Sequence, residues 1–532
     1  VSFLKDLRMY SRYLGGLPRF LRRRMTLEEA REILQRRLEQ REDNFLRMVQ
    51  KGIFGHPGSP YLPLMKMAQC RAGDIQGMVH SQGIEKTLLA LREAGVYTTF
   101  EESKGRRPIE RRDLCLPVKA SDFDNPYLSP QLSSDTGGST GARTRVDTDL
   151  DHYEALTPYL ILCYHAQGVL DSPGVIWRGP LPDGSGISNI LRNALIGDHI
   201  KRWFTLDTPG FRPAIKFRLA ESITTAAGRL LGSNLPRREP LTLDGAPIVA
   251  RWVSETLEKE GSCLVITPVS RALRICLAAA EEGIDLTGAA FMVAGEPLTP
   301  GKEKGIRASG AGIFMSYGLC ETGRMGMGCG RPADATDVHF MKDGFALIPY
   351  PRRVPGTDLT VEAFNFTTLL PSAPKILLNA EVDDYGILEE RACGCPLGEL
   401  GFSDHLRSIR SFRKLTGEGV SLVGSELIRV LEEVLPERFG GSPLDYQLAE
   451  EEDREGFTRL NLLVSPKVGD VDEKAIIDTV YRQMKESGSG GDMTRNIWGQ
   501  ARLLKVKRME PVWSSRGKLM PLHLAGKKME RT

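Results

Sequence analysis

A large α/β unit with mostly parallel strands is predicted for most of this chain, followed by a compact α+β unit at its C-terminal end. Short apolar runs at Val175-Ile176-Trp177, Cys263–Ile266, Ala290–Val293 and Gly312–Met315 alternate with helical stretches between residues 145 and 330. Each run precedes a loop rich in Pro or Gly, where ligands of α/β sheets usually sit. After residue 411 the pattern changes. A helix opens at Gly424-Ser425-Glu426, then come a strand over Leu460–Val464, a helix over Glu473–Met484 and a strand over Ala501–Val506.

The N-terminal region reads as helical. Thr26 and Glu29 form a capping box, and Ala30, Ile33, Leu34 and Leu38 continue at helical spacing, predicting a helix from 27 to 50. Ile84, Leu88, Leu89 and Leu91 predict a second helix over 84–94, stopped at Gly95, and Val96–Phe100 then reads as a strand. The first two dozen residues interleave Lys5, Arg8, Arg12, Arg19, Arg22, Arg23 and Arg24 with Phe3, Leu4, Leu7, Leu14, Leu17, Phe20 and Leu21. Such a segment either packs its apolar face on its own protein or lies on an anionic membrane surface. The expected organisation is a helical region over 1–110 packed on a main domain over 111–410, and a C-terminal domain over 411–532. Ser487–Gly491 is expected to be a flexible loop within the last.

Composition narrows the classes. With 41% hydrophobic and 26% charged residues among 532, the chain can bury large cores. A net charge of +3 gives no general case for nucleic acid. The nine cysteines are unevenly spaced, unlike a secreted disulfide framework. No apolar run has the length of a membrane span and no secretory leader is evident, so a cytoplasmic location is expected.

Three distant segments fit one chemistry. The run Thr136-Gly137-Gly138-Ser139-Thr140-Gly141 has little side-chain bulk, so its amides and hydroxyls can approach a polyphosphate; no Gly-Lys-Ser/Thr follows, so it is not a Walker loop. Tyr317-Gly318-Leu319-Cys320-Glu321 offers an aromatic face beside a carboxylate. Arg516-Gly517-Lys518 offers a cation near a basic tail. Separately, Cys329, His339, Cys393 and Cys395 are soft ligands, spaced Cys-x9-His and Cys-x-Cys, that suit tetrahedral zinc. The five cysteines at 70, 115, 163, 263 and 276 read as small apolar core residues.

In this order the segments resemble the adenylate-forming superfamily, and within it the phenylacetate–coenzyme A ligase-like branch. Thr136 to Arg143 is similar to the Ser-Ser-Gly-Thr-Thr-Gly-Lys-Pro phosphate loop, with Ala142 in place of Lys and Arg143 in place of Pro; Arg143 or Arg145 would supply the missing cation. Gly295-Glu296-Pro297 resembles the Gly-Ala-Glu-Pro turn of the adenine pocket. Tyr317–Glu321 resembles Tyr-Gly-Leu-Ser/Thr-Glu, which implies Tyr317 and Gly318 against adenine and Glu321 on Mg²⁺. Cys320 stands where a hydroxyl contacts the AMP phosphate, and Thr322 is adjacent. Nine residues before Cys393, Asp384 matches the ribose-binding Asp, with Asp383 a near-equal rival.

Arg410 matches the Arg before the interdomain hinge, which falls at Arg413 or Lys414, and Lys518 matches the lysine that bridges carboxylate and AMP oxygens. The resemblance implies a large α/β domain of adenylate-forming type, a small mobile C-terminal domain and, for the Cys/His set, structural zinc. It further implies activation of a carboxylic acid by ATP and Mg²⁺, then transfer to coenzyme A or to a carrier-protein phosphopantetheine. A catalytically inactive membrane- or partner-binding relative is the other reading. Trp177, Leu181, Ile187, Ile190 and Leu191, expected to line the acid pocket, favour an aryl or fatty acid.

Overall fold

The computed structural model describes residues 2–135, 144–206, 214–354, 360–411, 416–417, 420–421, 425–452, 458–486, 504–514 and 516–524. Its centre is a 12-stranded sheet. In chain order the strands are β1 (Gly174–Trp177), β2 (Ile200–Leu206), β3 (Arg238–Leu241), β4 (Cys263–Thr267), β5 (Ala289–Val293) and β6 (Gly312–Leu319). They continue with β7 (Gly323–Gly328), β8 (Val338–Phe340), β9 (Phe345–Arg353), β10 (Thr360–Thr368), β11 (Ala380–Glu390) and β12 (Asp404–Ser411). Across the sheet the order is β9-β10-β11-β12-β8-β7-β6-β5-β4-β1-β2-β3.

From β3 to β6 neighbouring strands are parallel. From β6 to β9 they are antiparallel. All four apolar runs read from the sequence are strands of the parallel half. β4 is buried at every residue, as a strand covered on both faces must be. One cover is the helix Leu150–Ala166, which buries Leu156, Tyr159, Leu160, Leu162 and Tyr164 in the same core as β1, β4 and β5.

The basic N-terminal segment is a helix, Ser2–Arg22, whose Met9, Tyr13, Leu17, Phe20 and Leu21 are buried. Tyr13 Oη lies 2.6 Å from Thr224 Oγ1. Of the two readings for this segment, the structure shows its apolar face packed on the protein. Among the described residues no helix is long and apolar enough to cross a membrane.

Three local expectations change. The predicted 27–50 helix breaks at Gln40 into Leu27–Glu39 and Arg41–Met48, followed by a π-helical turn over Val49–Phe54. The Thr26 cap itself forms, with Glu29 N donating to Thr26 Oγ1 at 3.1 Å. Val96–Phe100 makes only a bridge, Thr98 to Ala380, because Thr99 and Glu102 cap each other at the start of a short helix, Phe100–Ser103. Of the five cysteines expected in the core, Cys163, Cys263 and Cys276 are buried, but Cys70 is half-buried and Cys115 exposed.

A second core joins Phe45, Tyr61, Leu88 and Leu91 of the N-terminal helices to Ala346 and Ile348 of β9. It is reinforced by Arg92, whose guanidinium lies over the rings of Tyr97 and Tyr350 and meets Glu381 of β11 at 3.0 Å. Burial pushes the Glu381 carboxyl up, with Arg352 and Arg92 pulling against it.

The C-terminal part has its own core and a four-stranded sheet of Leu504–Arg508, Thr458–Val464, Tyr446–Glu452 and Leu522–Leu524, in that order. Helix Glu473–Glu486 covers the predicted span. Ser487–Gly491 and the start of the predicted 501–506 strand fall outside the described residues. A buried ion pair between Lys302 and Glu432, at 3.1 Å, fastens this part to the larger one.

Arg92→Leu leaves Glu381 buried with Arg352 alone at 3.5 Å. Chemical unfolding is expected to show a loss of about 3 kcal/mol, the scale of breaking a buried pair from one side.

Candidate functional site

Strands β1, β2 and β3 progress in one direction across the sheet and β4, β5 and β6 in the other. The reversal lies between β1 and β4, and beyond their carboxyl ends an open α/β sheet forms a crevice. Arg178, the residue after β1, fills the floor of that crevice. Its Nη2 donates to Thr267 O at 2.8 Å and its Nη1 to Ala294 O at 3.1 Å. Its backbone N–H donates to Phe204 O at 3.1 Å, and its carbonyl accepts from Trp203 Nε1 at 3.2 Å. One residue therefore ties the ends of β1, β2, β4 and β5. Burial, and then the like charges of Arg271 and Arg324, push its guanidinium down to about 9.

The C-terminal motif docks on this floor. Lys518 Nζ donates to Gly295 O at 2.7 Å. A Cβ on Gly295 would stand 2.9 Å from Lys518 Nζ, and φ there is +86°, so glycine is what admits the ammonium. The loop that presents Lys518 closes through Ser514 N to Lys518 O at 2.9 Å and turns at Gly517, with φ +64°. Leu519 N donates to Ser270 Oγ at 3.3 Å, and Arg271 Nη2 donates to Arg516 O at 3.1 Å. Arg516 Nη2 in turn donates to Asp135 O at 2.7 Å, and its Nε lies 3.6 Å from Asp183 Oδ2.

The small-residue run Thr136, Gly137, Gly138, Ser139, Thr140, Gly141, with Ala142 and Arg143, lies outside the described residues, as do Arg413 and Lys414. Asp135 is the last described residue before that run. Arg145 is engaged by Asp147 at 2.8 Å and Asp6 at 3.4 Å, which occupies it as a structural cation.

Tyr317 and Gly318 sit at a bulge where β6 turns into β7. Tyr317 Oη donates to Asp384 Oδ2 at 2.9 Å, so two residues far apart in sequence meet here. Burial, then the Asp384 carboxylate, holds the phenol well above its ordinary range. Across β11 and β12, Asp384 is opposite Ser411 and Tyr385 is opposite Arg410, which puts Arg410 beside the pair. Glu321 is ion-paired to Lys104, a partner that no sequence motif points to. Cys320 is exposed, while Thr322 is fully buried, its Oγ1 without a partner among the described residues. Glu296 turns inward: its Oε2 accepts from Ser270 Oγ and, at 3.3 Å, from Ser270 N near the start of helix Val269–Glu281. Pro297 follows it on the same turn.

The Cys/His set gathers behind the crevice, at the other end of β7. Cys329, His339, Cys393 and His405 offer donor atoms within 4.8 Å of one another, all buried, and could hold a zinc ion. Cys395 is close, with Sγ 3.0 Å from His339 Nε2 and 4.0 Å from Cys329 Sγ. His405 joins the set expected from sequence. It pairs directly with His339 across β8 and β12, a juxtaposition of register that spacing does not reveal. The Asp337 carboxylate lies 2.7 Å from His405 Nδ1, which places the proton there and leaves the buried Nε2 without a partner among the described residues. His339 Nδ1 likewise donates to Phe402 O at 2.7 Å.

No protein-family model matches this chain, and no curated protein matches it. In three dimensions it is similar to 2-hydroxyisobutyryl-CoA ligase in complex with 2-HIB-AMP and CoA, at 14% identity and a TM-score of 0.43, over 94% of this chain and 91% of that one. It is also similar to the anthranilate CoA ligase AuaEII in complex with anthranoyl-AMP, at 10% identity and a TM-score of 0.43, over 82% of this chain and 75% of that one. ATP-bound MatB from Rhodopseudomonas palustris gives 10% identity and a TM-score of 0.40, over 76% of this chain and 68% of that one. These are low identities.

The purified protein is expected to carry about one zinc per chain by elemental analysis. His405→Ala should lose metal and lower the thermal midpoint. A metal-free protein whose midpoint ignores added zinc would remove the site.

Proposed function

We propose that this protein activates a carboxylic acid as an acyl adenylate and passes the acyl group to a thiol, with coenzyme A the first choice of acceptor and a carrier-protein phosphopantetheine the second. The observation that supports it most is the meeting of remote motifs at one crevice. Lys518 reaches Gly295, Arg516 reaches Asp135 at the root of the small-residue run, and Tyr317 reaches Asp384.

In the first step a carboxylate oxygen attacks the α-phosphorus of ATP and the bond to the β-phosphate breaks, releasing pyrophosphate. Two anions must approach, so positioned cations are the main requirement. Lys518 holds positive charge at the crevice mouth, where the attacking carboxylate and the AMP oxygens would meet. Arg516 secures the strand end leading into Thr136–Gly141, whose amides would receive the phosphates. Tyr317 and Gly318 give a face for adenine, and Asp384, with Asp383 its rival, accepts from the ribose hydroxyls; Arg410 lies beside them.

Glu321, ion-paired to Lys104 in this structure, has the charge of a Mg²⁺ ligand. Mg²⁺ on Glu321 would neutralise phosphate charge. In the second step a thiol sulfur attacks the acyl carbon and AMP leaves. The 411–532 region would rotate about Arg413 or Lys414 between the steps, withdrawing Lys518. Zinc on the Cys/His set would be structural.

The rival reading, a relative that lost catalysis, draws on Cys320, Ala142 and the Lys104–Glu321 pair. ATP–pyrophosphate exchange over a panel of acids decides between them. Exchange with some acid is expected, and none at saturating ATP would favour the rival. Lys518→Ala is expected to lower exchange at least about 100-fold while a supplied acyl adenylate is still thiolated; equal loss of both steps would take Lys518 out of the first. Glu321→Gln should lower metal-dependent turnover about 10-fold or more with folding unchanged, and an unaltered rate would exclude it.

A further inference from the structure

Four arginines, at 178, 192, 271 and 324, are each less than a tenth exposed and none has an ion-pair partner among the described residues. Two of them serve the fold. Arg178 takes the carbonyls of Thr267 and Ala294, and Arg271 takes that of Arg516. Arg192 and Arg324 have no such use. Arg324 donates to Asn189 Oδ1 at 2.7 Å and to Ser316 Oγ; Arg192 reaches the same Asn189 oxygen at 3.4 Å and Ser188 Oγ at 3.5 Å. Two guanidinium groups thus share one neutral amide oxygen. The Nε of each is buried with no acceptor among the described residues.

Burying one unpaired cation is unfavourable by several kcal/mol, and burying two side by side adds their repulsion. Burial first, and then each other's neighbourhood, pushes Arg192 down to about 9, and burial lowers Arg324 as well. Such an arrangement persists where the structure over-determines it, and it is relieved when an anion arrives.

Its place suggests which anion. Arg324, three residues after Glu321, stands at the start of β7 and pairs across the bulge with Gly318; Ser316 is the neighbour of Tyr317. Asn189 and Arg192 come from helix Ser185–Ile196, the element expected from sequence to offer an apolar lining. Ile187, Ile190 and Leu191 are indeed buried on it, but Asn189 is what meets Arg324 of β7, and Arg192 bonds to the same Asn189 oxygen. The groups proposed to meet the nucleotide, Lys518, Gly295 and the root of the small-residue run, are held by Arg178, Arg271 and Arg516 instead.

Resting on the acid-activating reading above, we infer that Arg192 and Arg324, framed by Asn189 and Ser316, receive a second carboxylate of the acid, so that the substrate is a dicarboxylic acid. The reacting carboxylate faces Lys518, and the distal one forms paired, charge-assisted hydrogen bonds with the two guanidinium forks. An aryl or fatty acid would leave them unanswered.

The test uses the full chain with a ladder of linear dicarboxylic acids, their monoamides, and monocarboxylic acids of equal length. Exchange is expected to prefer a dicarboxylate over its monoamide by about 100-fold in kcat/KM, the range of a lost charged partner. R324M and R192M should each raise KM for that acid about 30-fold or more, with KM for ATP unchanged, and erase the preference. Without ligand, the same variants should have an equal or higher thermal midpoint, since an unpaired buried charge is gone; a merely structural pair would lose stability.

Exchange with monocarboxylic acids alone, or variants that raise KM for ATP instead, would overturn the role of the arginine pair while leaving acid activation standing. If no acid supports exchange, thermal shift decides. A midpoint raised by dicarboxylates in the natural protein but not in the variants keeps the arginine pair as a dicarboxylate site without adenylation, and no shift overturns both. Should a variant fail to fold, the ladder on the natural protein still discriminates: preference for the dicarboxylate supports the arginine pair, and its absence overturns it.

Discussion

Strand ends at the reversal of a parallel sheet leave carbonyls facing a crevice rather than a neighbouring strand, and here a buried guanidinium answers them. Arg178 joins β4 and β5 through its side chain and β2 through its backbone, while β1 carries it in covalently. Water would satisfy these carbonyls, but water would also fill the crevice. A rigid organic cation satisfies them as well and keeps the floor positive. The desolvation that lowers Arg178 is the reverse side of that arrangement. Gly295, next to Ala294, is the motif residue this floor positions directly.

The C-terminal loop reads that floor through small contacts rather than a large apolar interface. Leu519 is buried in the main core and Trp513 packs against it, and around them the contacts are polar: Ser270 to Leu519, Arg271 to Arg516, Arg516 to Asp135, Lys518 to Gly295. Contacts of this type are worth about 1 kcal/mol each and can be exchanged for water one at a time. A segment held so places the Lys518 ammonium on Gly295 O. The two glycines that permit it act on opposite sides, Gly517 by turning the chain and Gly295 by clearing the path.

The parallel strands were legible because burial on both faces leaves near-continuous apolar runs such as Cys-Leu-Val-Ile. β2 was not, since Lys201 and Arg202 interrupt it. The antiparallel half was missed for the same reason: β11 carries Asp383, Asp384, Glu389 and Glu390 along a half-exposed strand. Motif residues close together in one loop could be read directly, as with Tyr317 to Glu321. Residues whose meaning comes from register could not. His405 acquires its role by facing His339, and Lys104 by an ion pair across 217 positions. Trp177, Leu181, Ile187, Ile190 and Leu191 could be read as apolar and are buried, whereas the meeting of Asn189 with Arg324 of β7 is another product of packing that spacing does not reveal.

β7 connects the two polar clusters that sequence alone kept apart. Its first half holds Arg324, facing Ser316 and Asn189; immediately beyond its last residue stands Cys329 of the metal-competent group. Between them Met325 and Met327 are fully buried, and the Cys163 thiol reaches Gly328 O at 3.5 Å, so the strand cannot slide or turn without disturbing the core. Arg324 at one end of this strand is buried without an ion-pair partner among the described residues, and the other end leads to the Cys/His group. Beyond that end Cys329 is joined by His339 of β8, His405 of β12 and the Cys393–Cys395 loop, donors that a metal would tie together. A metal on that group would steady the far end of the strand whose near end carries Arg324.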